Sequence, residues 1–160
     1  MRKRRLTEGA LARPFEFSDS REIIEVGTLC EALLYLFDGY LSGVMELNLS
    51  PYTSGCISVN AERLAFILRS VAKCAKDKTL PRLSVYEREN KLVFEISNYP
   101  NDSLELCSVI SEEACAAGLT LYAEGDSVFL GAELQSGTRI RFYARSREDT
   151  INAFLRVFST

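Results

Sequence analysis

The chain has 160 residues, with 19 Lys and Arg against 22 Asp and Glu, for a formal net charge of −3. Apolar residues make up 47% and charged residues 26%, which is globular composition and excludes a disordered chain. The mild negative balance argues against a general nucleic-acid binder, and no apolar run reaches the 18 or so residues of a membrane span. There is no histidine. Ser-His-Asp triads, Cys-His pairs, His-ligated metals and a phosphate-accepting histidine are therefore excluded within this chain.

One domain is expected at this length, large enough to bury roughly 70% of its unfolded surface. Five cysteines (Cys30, Cys56, Cys74, Cys107 and Cys115) form no C-x-x-C pair. The basic start, Met1 to Arg5, lacks the apolar region of a signal peptide and reads as a solvated tail. Reduced thiols in a cytoplasmic chain follow, most of them as small core residues.

Residues 1–20 read as a flexible arm broken by Pro14, Ser18, Asp19 and Ser20, ahead of one domain over 21–160. Ile23 to Val26 suits a short edge strand. Gly27 or Thr28 then caps a helix to about Leu41, with Leu29, Leu33, Leu36, Phe37 and Tyr40 on its inward face. Met45, Leu47 and Leu49 alternate with polar residues as in a half-buried strand. A turn over Pro51 to Gly55 leads to a short strand, Cys56 to Val59. Asn60 is a good N-cap for a helix that turns Leu64, Ile67, Leu68, Val71 and Ala75 inward and places Arg63, Arg69, Lys73 and Lys76 on its other faces.

The period then changes to two. Strands at Leu83 to Glu87 and Leu92 to Ile96 flank a Glu89-Asn90 turn. A loop over 99–104 precedes a helix carrying Leu106, Val109, Ile110 and Ala114. Leu119 to Tyr122 and Val128 to Ala132 flank Glu124-Gly125-Asp126, a hairpin signal. Gly137 opens a last strand with Ile140 and Phe142 on one face. Ser146 and Asp149 start a C-terminal helix. Its Ile151, Phe154, Leu155 and Phe158 either cover the chain's own sheet or dock on a partner or a second copy. Helices and strands alternating in blocks predict an α+β fold: a two-layer sandwich whose mixed, mostly antiparallel sheet carries helices on one face.

Three stretches within this order carry a resemblance. Val59 to Leu68 is similar to the lead-in of an N-box helix. Leu92 to Asn98 is similar to a strand entering a first glycine box. Gly118 to Phe142, with Ser136-Gly137-Thr138, resembles a closing strand, turn, strand, last glycine box and final strand. Together they resemble the ATP-binding catalytic domain of sensor histidine kinases, in the GHKL ATPase superfamily, over about residues 20–145. The resemblance implies ATP and Mg²⁺ as ligands, a two-component signalling context with a protein partner, and a nucleotide site at Ser70, Cys74, Asn98, Gly137 and Thr138.

The departures bear on that chemistry. Ser70 and Cys74 stand where the family has two asparagines, the second reaching Mg²⁺, and a neutral thiol is a poor ligand for a hard cation. The first box reads Asn98-Tyr99-Pro100-Asn101-Asp102. Asn98 can still offer a carbonyl oxygen to an adenine amino group, but Tyr99 and Pro100 replace glycines. No glycine lies between Gly55 and Gly118, so the family's lid and second box are missing, and with them the backbone N–H cradle for phosphates. Arg69, Lys73 and Lys76 form either a phosphate-holding row or a solvated face. Glu112 and Glu113 are adjacent on a helix and do not face each other. Cys74 lacks an activating neighbour, since Lys73 points elsewhere.

The expectation is a degenerate histidine-kinase-type ATPase domain without ATPase or kinase activity, with no catalytic residue, metal or resident cofactor, acting as a regulatory or interaction module in signalling. The alternative is a weak ATP- or ADP-binding domain of a two-component protein. A protein partner is expected, and a homodimer is left open.

Overall fold

The computed structural model describes residues 11–50, 54–76 and 78–159. Strand β1 (Glu22–Glu25) runs straight into helix α1 (Val26–Gly39), whose buried Val26, Leu29, Leu33, Leu36 and Phe37 recur at helical spacing. After β2 (Glu46–Leu49) and β3 (Cys56–Val59), Asn60 leaves the strand in an extended conformation. Its side-chain oxygen accepts from the Arg63 N–H at 3.1 Å and so starts α2 (Ala61–Ala75). Two seven-residue strands follow, β4 (Arg82–Arg88) and β5 (Lys91–Ser97). Ser103 caps α3 (Leu104–Ala117), and left-handed Gly118 (φ 90°) ends it. The hairpin β6 (Thr120–Glu124) and β7 (Ser127–Glu133), the short helix α4 (Thr138–Phe142) and α5 (Arg147–Phe158), capped by Ser146, complete the chain.

The main sheet has the order β2-β4-β5-β7-β6. Only β2 and β4 are parallel. Glu89 and Asn90 both take positive φ (51° and 63°), as a type I′ turn requires. Gly125 (φ 62°) opens the β6–β7 turn, the place where a type II′ turn wants glycine. The register puts Leu83 opposite Ile96, Val85 opposite Phe94, and Phe94 and Ile96 opposite Leu130 and Val128. This face is buried and forms one core with α1, α2 and α3. The other face, with Tyr86, Val93, Glu95, Phe129 and Tyr122, stays at least partly in water. The expected two-layer α+β sandwich with a mixed sheet is therefore the fold. A separate antiparallel ribbon, β1 with β3, touches the main sheet through a bridge between Cys56 and Gln135.

Three expectations are corrected. Ile140 and Phe142 belong to a helix, not to a last strand. The Cys56–Gln135 bridge carries the chain toward the ribbon and away from both free edges of the sheet, and Gly137 (φ 121°) breaks the extended run. The apolar face of α5 packs against α1 and α2 rather than on the sheet, burying Ile151, Phe154 and Val157. Arg63 is not on an outer face: it is 4% exposed.

Of the segment read as an arm, residues 11–20 lie on the domain, whereas Met1–Ala10 lie outside the described residues. Leu11 and Phe17 are buried, and the Phe17 ring meets Phe66 edge-on at 5.4 Å. Burying one such phenylalanine contributes about 1.5–3 kcal/mol. The Asn60 amide donates to the Ser18 and Ser20 carbonyls at 2.8 and 2.7 Å. Beneath Phe17, Arg63 donates to Glu113 at 2.7 Å and to Asp19 at 2.9 Å, and Arg13 reaches the other Glu113 oxygen at 2.7 Å. Removing one partner of a buried ion pair leaves a charge stranded out of water. Glu113→Ala should therefore cost about 3–5 kcal/mol in urea unfolding, whereas Arg63→Met with Glu113→Leu should cost far less. A loss under about 1 kcal/mol for Glu113→Ala would show that the pair is hydrated.

Candidate functional site

The last turn of α2 and the loop that joins β5 to α3 face each other across a cleft of about 370 Å³. Lys73, Cys74, Lys76 and Lys78 form one side, and Pro100, Asp102 and Ser103 the other. The loop is six residues, 98–103, between Ser97 and Leu104. Tyr99 and Pro100 are buried within it. Burial pushes the Tyr99 phenol up, as do nearby Cys107 and Asp126. The loop is pinned on both sides. Asn101 donates to the Gly125 carbonyl at 3.3 Å, and the Cys107 thiol donates to the Asn101 carbonyl at 3.5 Å.

Cys74 is half-buried and hydrogen-bonds with Ser103. Burial raises its thiol above the usual range and outweighs the lowering by Ser103, so at neutral pH it stays protonated. Ser103 is already engaged, its hydroxyl accepting from the Leu106 N–H at 3.2 Å. Lys73 is held below the ordinary ammonium range, by burial first and then by Arg69. Three lysines along one wall favour an anion electrostatically. Pro100 has no N–H to add, and the Ser103 hydroxyl already takes one of the free N–H groups in the first turn of α3. For Mg²⁺ the fit is poor: among the described residues three ammonium groups and a neutral thiol face a single carboxylate, Asp102. Among the described residues no group of three or more Cys, Asp or Glu could hold a metal ion.

The structure brings Cys74 together with the loop that follows Asn98. Asn98 itself is exposed, in a left-handed conformation (φ 55°), and its amide donates to the Leu80 carbonyl at 3.1 Å. Ser70 does not reach the cleft lining: it is buried, and its hydroxyl has no hydrogen-bond partner among the described residues. Gly137 and Thr138 are not brought to the site either. Strand β7 starts opposite Ser97 and ends opposite Lys91, so residues beyond Glu133 lie at the far end of the sheet from Asn98. Gly125, in the β6–β7 turn, is the glycine beside the loop.

Of the basic row, Lys73 and Lys76 line this cleft. They also line a second one, of about 350 Å³, together with Arg69, Tyr40, Val44 and Phe158. Sequence reasoning missed Lys78 and Ser103. Ser103 carried a signal, a capping serine just before an apolar helical pattern, while Lys78 carried none. A third, polar cleft of about 280 Å³ between Asn60 and α5 holds the paired side chains Glu22–Arg145 and Glu62–Arg156.

No family model and no curated protein matches the chain. Among solved structures it is similar to histidine kinase AdeS of Acinetobacter baumannii (13% identity, TM-score 0.47, covering 83% of this chain and 74% of that one). It is similar also to the cytoplasmic segment of histidine kinase QseC (12%, TM-score 0.44, 85% and 94%) and to the catalytic domain of histidine kinase ThkA (6%, TM-score 0.43, 71% and 95%). No helix among the described residues is long and apolar enough to cross a membrane.

A buried hydroxyl without a partner costs about 1–3 kcal/mol of desolvation. Ser70→Ala should therefore leave the fold intact and raise stability by about 1 kcal/mol in urea unfolding. A clear loss of stability would show that the hydroxyl is paired.

Proposed function

We propose that this chain is a histidine-kinase-type ATPase domain that has lost nucleotide turnover and serves as a regulatory or interaction module in signalling. The observation that carries this reading is the six-residue join of β5 to α3. Where a phosphate-binding lid would need length and glycines, the chain has a buried Tyr99 and Pro100. Ser103, hooked to Cys74, closes the far side. Among the described residues the cleft lining offers a single carboxylate, Asp102, which is no set of hard ligands for Mg²⁺. A second reading rests on Lys73, Lys76 and Lys78: a weak site for ATP or ADP held by charge alone.

Calorimetric titration of the whole chain with ATP and ADP, with and without Mg²⁺, separates the two. The expected result is no heat and no shift of the unfolding midpoint up to millimolar nucleotide. Micromolar binding, weakened at least tenfold by Lys73→Glu, would overturn the first reading in favour of the second. Mg²⁺-dependent binding lost in Asn98→Ala would show that the family's adenine pocket survives.

A further inference from the structure

Strand β6 is the outermost strand of the main sheet on its long side, among the described residues paired with β7 alone, and all five of its residues are exposed. Leu121 is 44% and Tyr122 60% exposed. Natural sheets blunt such an edge with lysine, proline, a bulge or a cover. Over Thr120–Glu124 there is no lysine or proline, the register with β7 runs without a bulge, and the one charge, Glu124, stands at the turn. The other edge, β2, is shorter, shows a charged Glu46 paired with Arg82, and is followed by Pro51.

The register says which backbone groups this edge offers. A two-residue turn, Gly125-Asp126, closes on Glu124 and Ser127 as a hydrogen-bonded pair. Alternation gives the same status to Tyr122 with Phe129 and to Thr120 with Gly131. The N–H and C=O of Leu121 and Ala123 are then the ones that point out of the sheet. Two residues apart, they are self-complementary for an antiparallel partner.

We infer that two copies of this chain join through their β6 strands, antiparallel about a twofold axis at Tyr122. Leu121 of one copy pairs with Ala123 of the other, so the large apolar side chain meets a small one. Thr120 stands opposite Glu124, so no like charges oppose each other. Tyr122 meets its own counterpart on the open face of the sheet, where Phe129 already lies 5.8 Å from it, so the aromatic row continues across the axis. This self-matching is why a second copy, rather than a foreign strand, fits the edge.

The test is the mass of the full chain in solution by light scattering or equilibrium sedimentation. Twice the 17.9 kDa of one chain is expected at micromolar concentration and above. Tyr122→Lys, a change at an exposed position, sets like charges face to face and should return the mass to one chain. Tyr122→Glu alone should do the same. An equimolar mixture of the two variants should recover the doubled mass. Ala123→Pro, which removes an outward N–H and leaves the bonds to β7, should also give single chains with an unchanged circular dichroism spectrum. A wild-type chain that stays single at hundreds of micromolar overturns the inference. So does a doubled mass that persists in Tyr122→Lys, or a mixture that stays single.

Discussion

Arg63 leaves the first turn of α2 and meets the Glu113 carboxylate of α3 at 2.7 Å, the two residues only 4% and 2% exposed. Charges taken this far out of water are tolerated only when every oxygen and N–H finds a partner. Here Glu113 also receives Arg13, and Arg63 also reaches Asp19 and the Ser18 carbonyl. The pair thus ties three segments into one arrangement: α2, α3 and the stretch 11–20. Replacing it with apolar side chains would keep the core, but the angle between the two helices would no longer be set by directional bonds.

That angle decides the shape of the cleft. Its two walls are the last turn of α2 and the loop that enters α3, so the lysines and Ser103 inherit their spacing from the pair at the other end of the same helices. The short join from β5 to α3 completes the constraint. A long, glycine-rich connection could open and wrap phosphates. A six-residue one, with Tyr99 in the core and Asn101 bonded to the β6–β7 turn, holds still. What remains is a charged cleft lined by three lysines, one carboxylate and a thiol among the described residues.

Much of the fold was legible because periodicity reports burial. Leu64, Ile67, Leu68 and Val71 announced α2, and Leu92, Phe94 and Ile96 announced β5. Asn60 and Ser103 show the limit at a local scale. Capping is written in the sequence, but the tie of the Asn60 amide to the Ser18 and Ser20 carbonyls is not. Arg63 was misplaced because a buried arginine is rare unless paired, and its partner lies fifty positions away. Thr138-Arg139-Ile140-Arg141-Phe142 alternates as a strand should, yet forms a helix with Phe142 82% exposed. Period two predicts a strand only when a sheet edge is within reach, and the Cys56–Gln135 bridge has already turned the chain away from it. In the cleft, Cys74 and the Asn98 loop were reached through the resemblance and not through periodicity. Ser70, Gly137 and Thr138 could not be ruled out of the cleft lining without knowing which end of each strand meets which helix.

The most direct measurement is the amide spectrum of the isotope-labelled chain, recorded by NMR as ADP and Mg²⁺ are added. A rigid cleft without a phosphate cradle predicts that Lys73, Cys74, Lys76, Asn98 and Ser103 keep their positions through millimolar nucleotide. Saturable shifts confined to those residues at micromolar nucleotide would contradict the account, because they would mean that the short loop opens and that the cleft holds nucleotide.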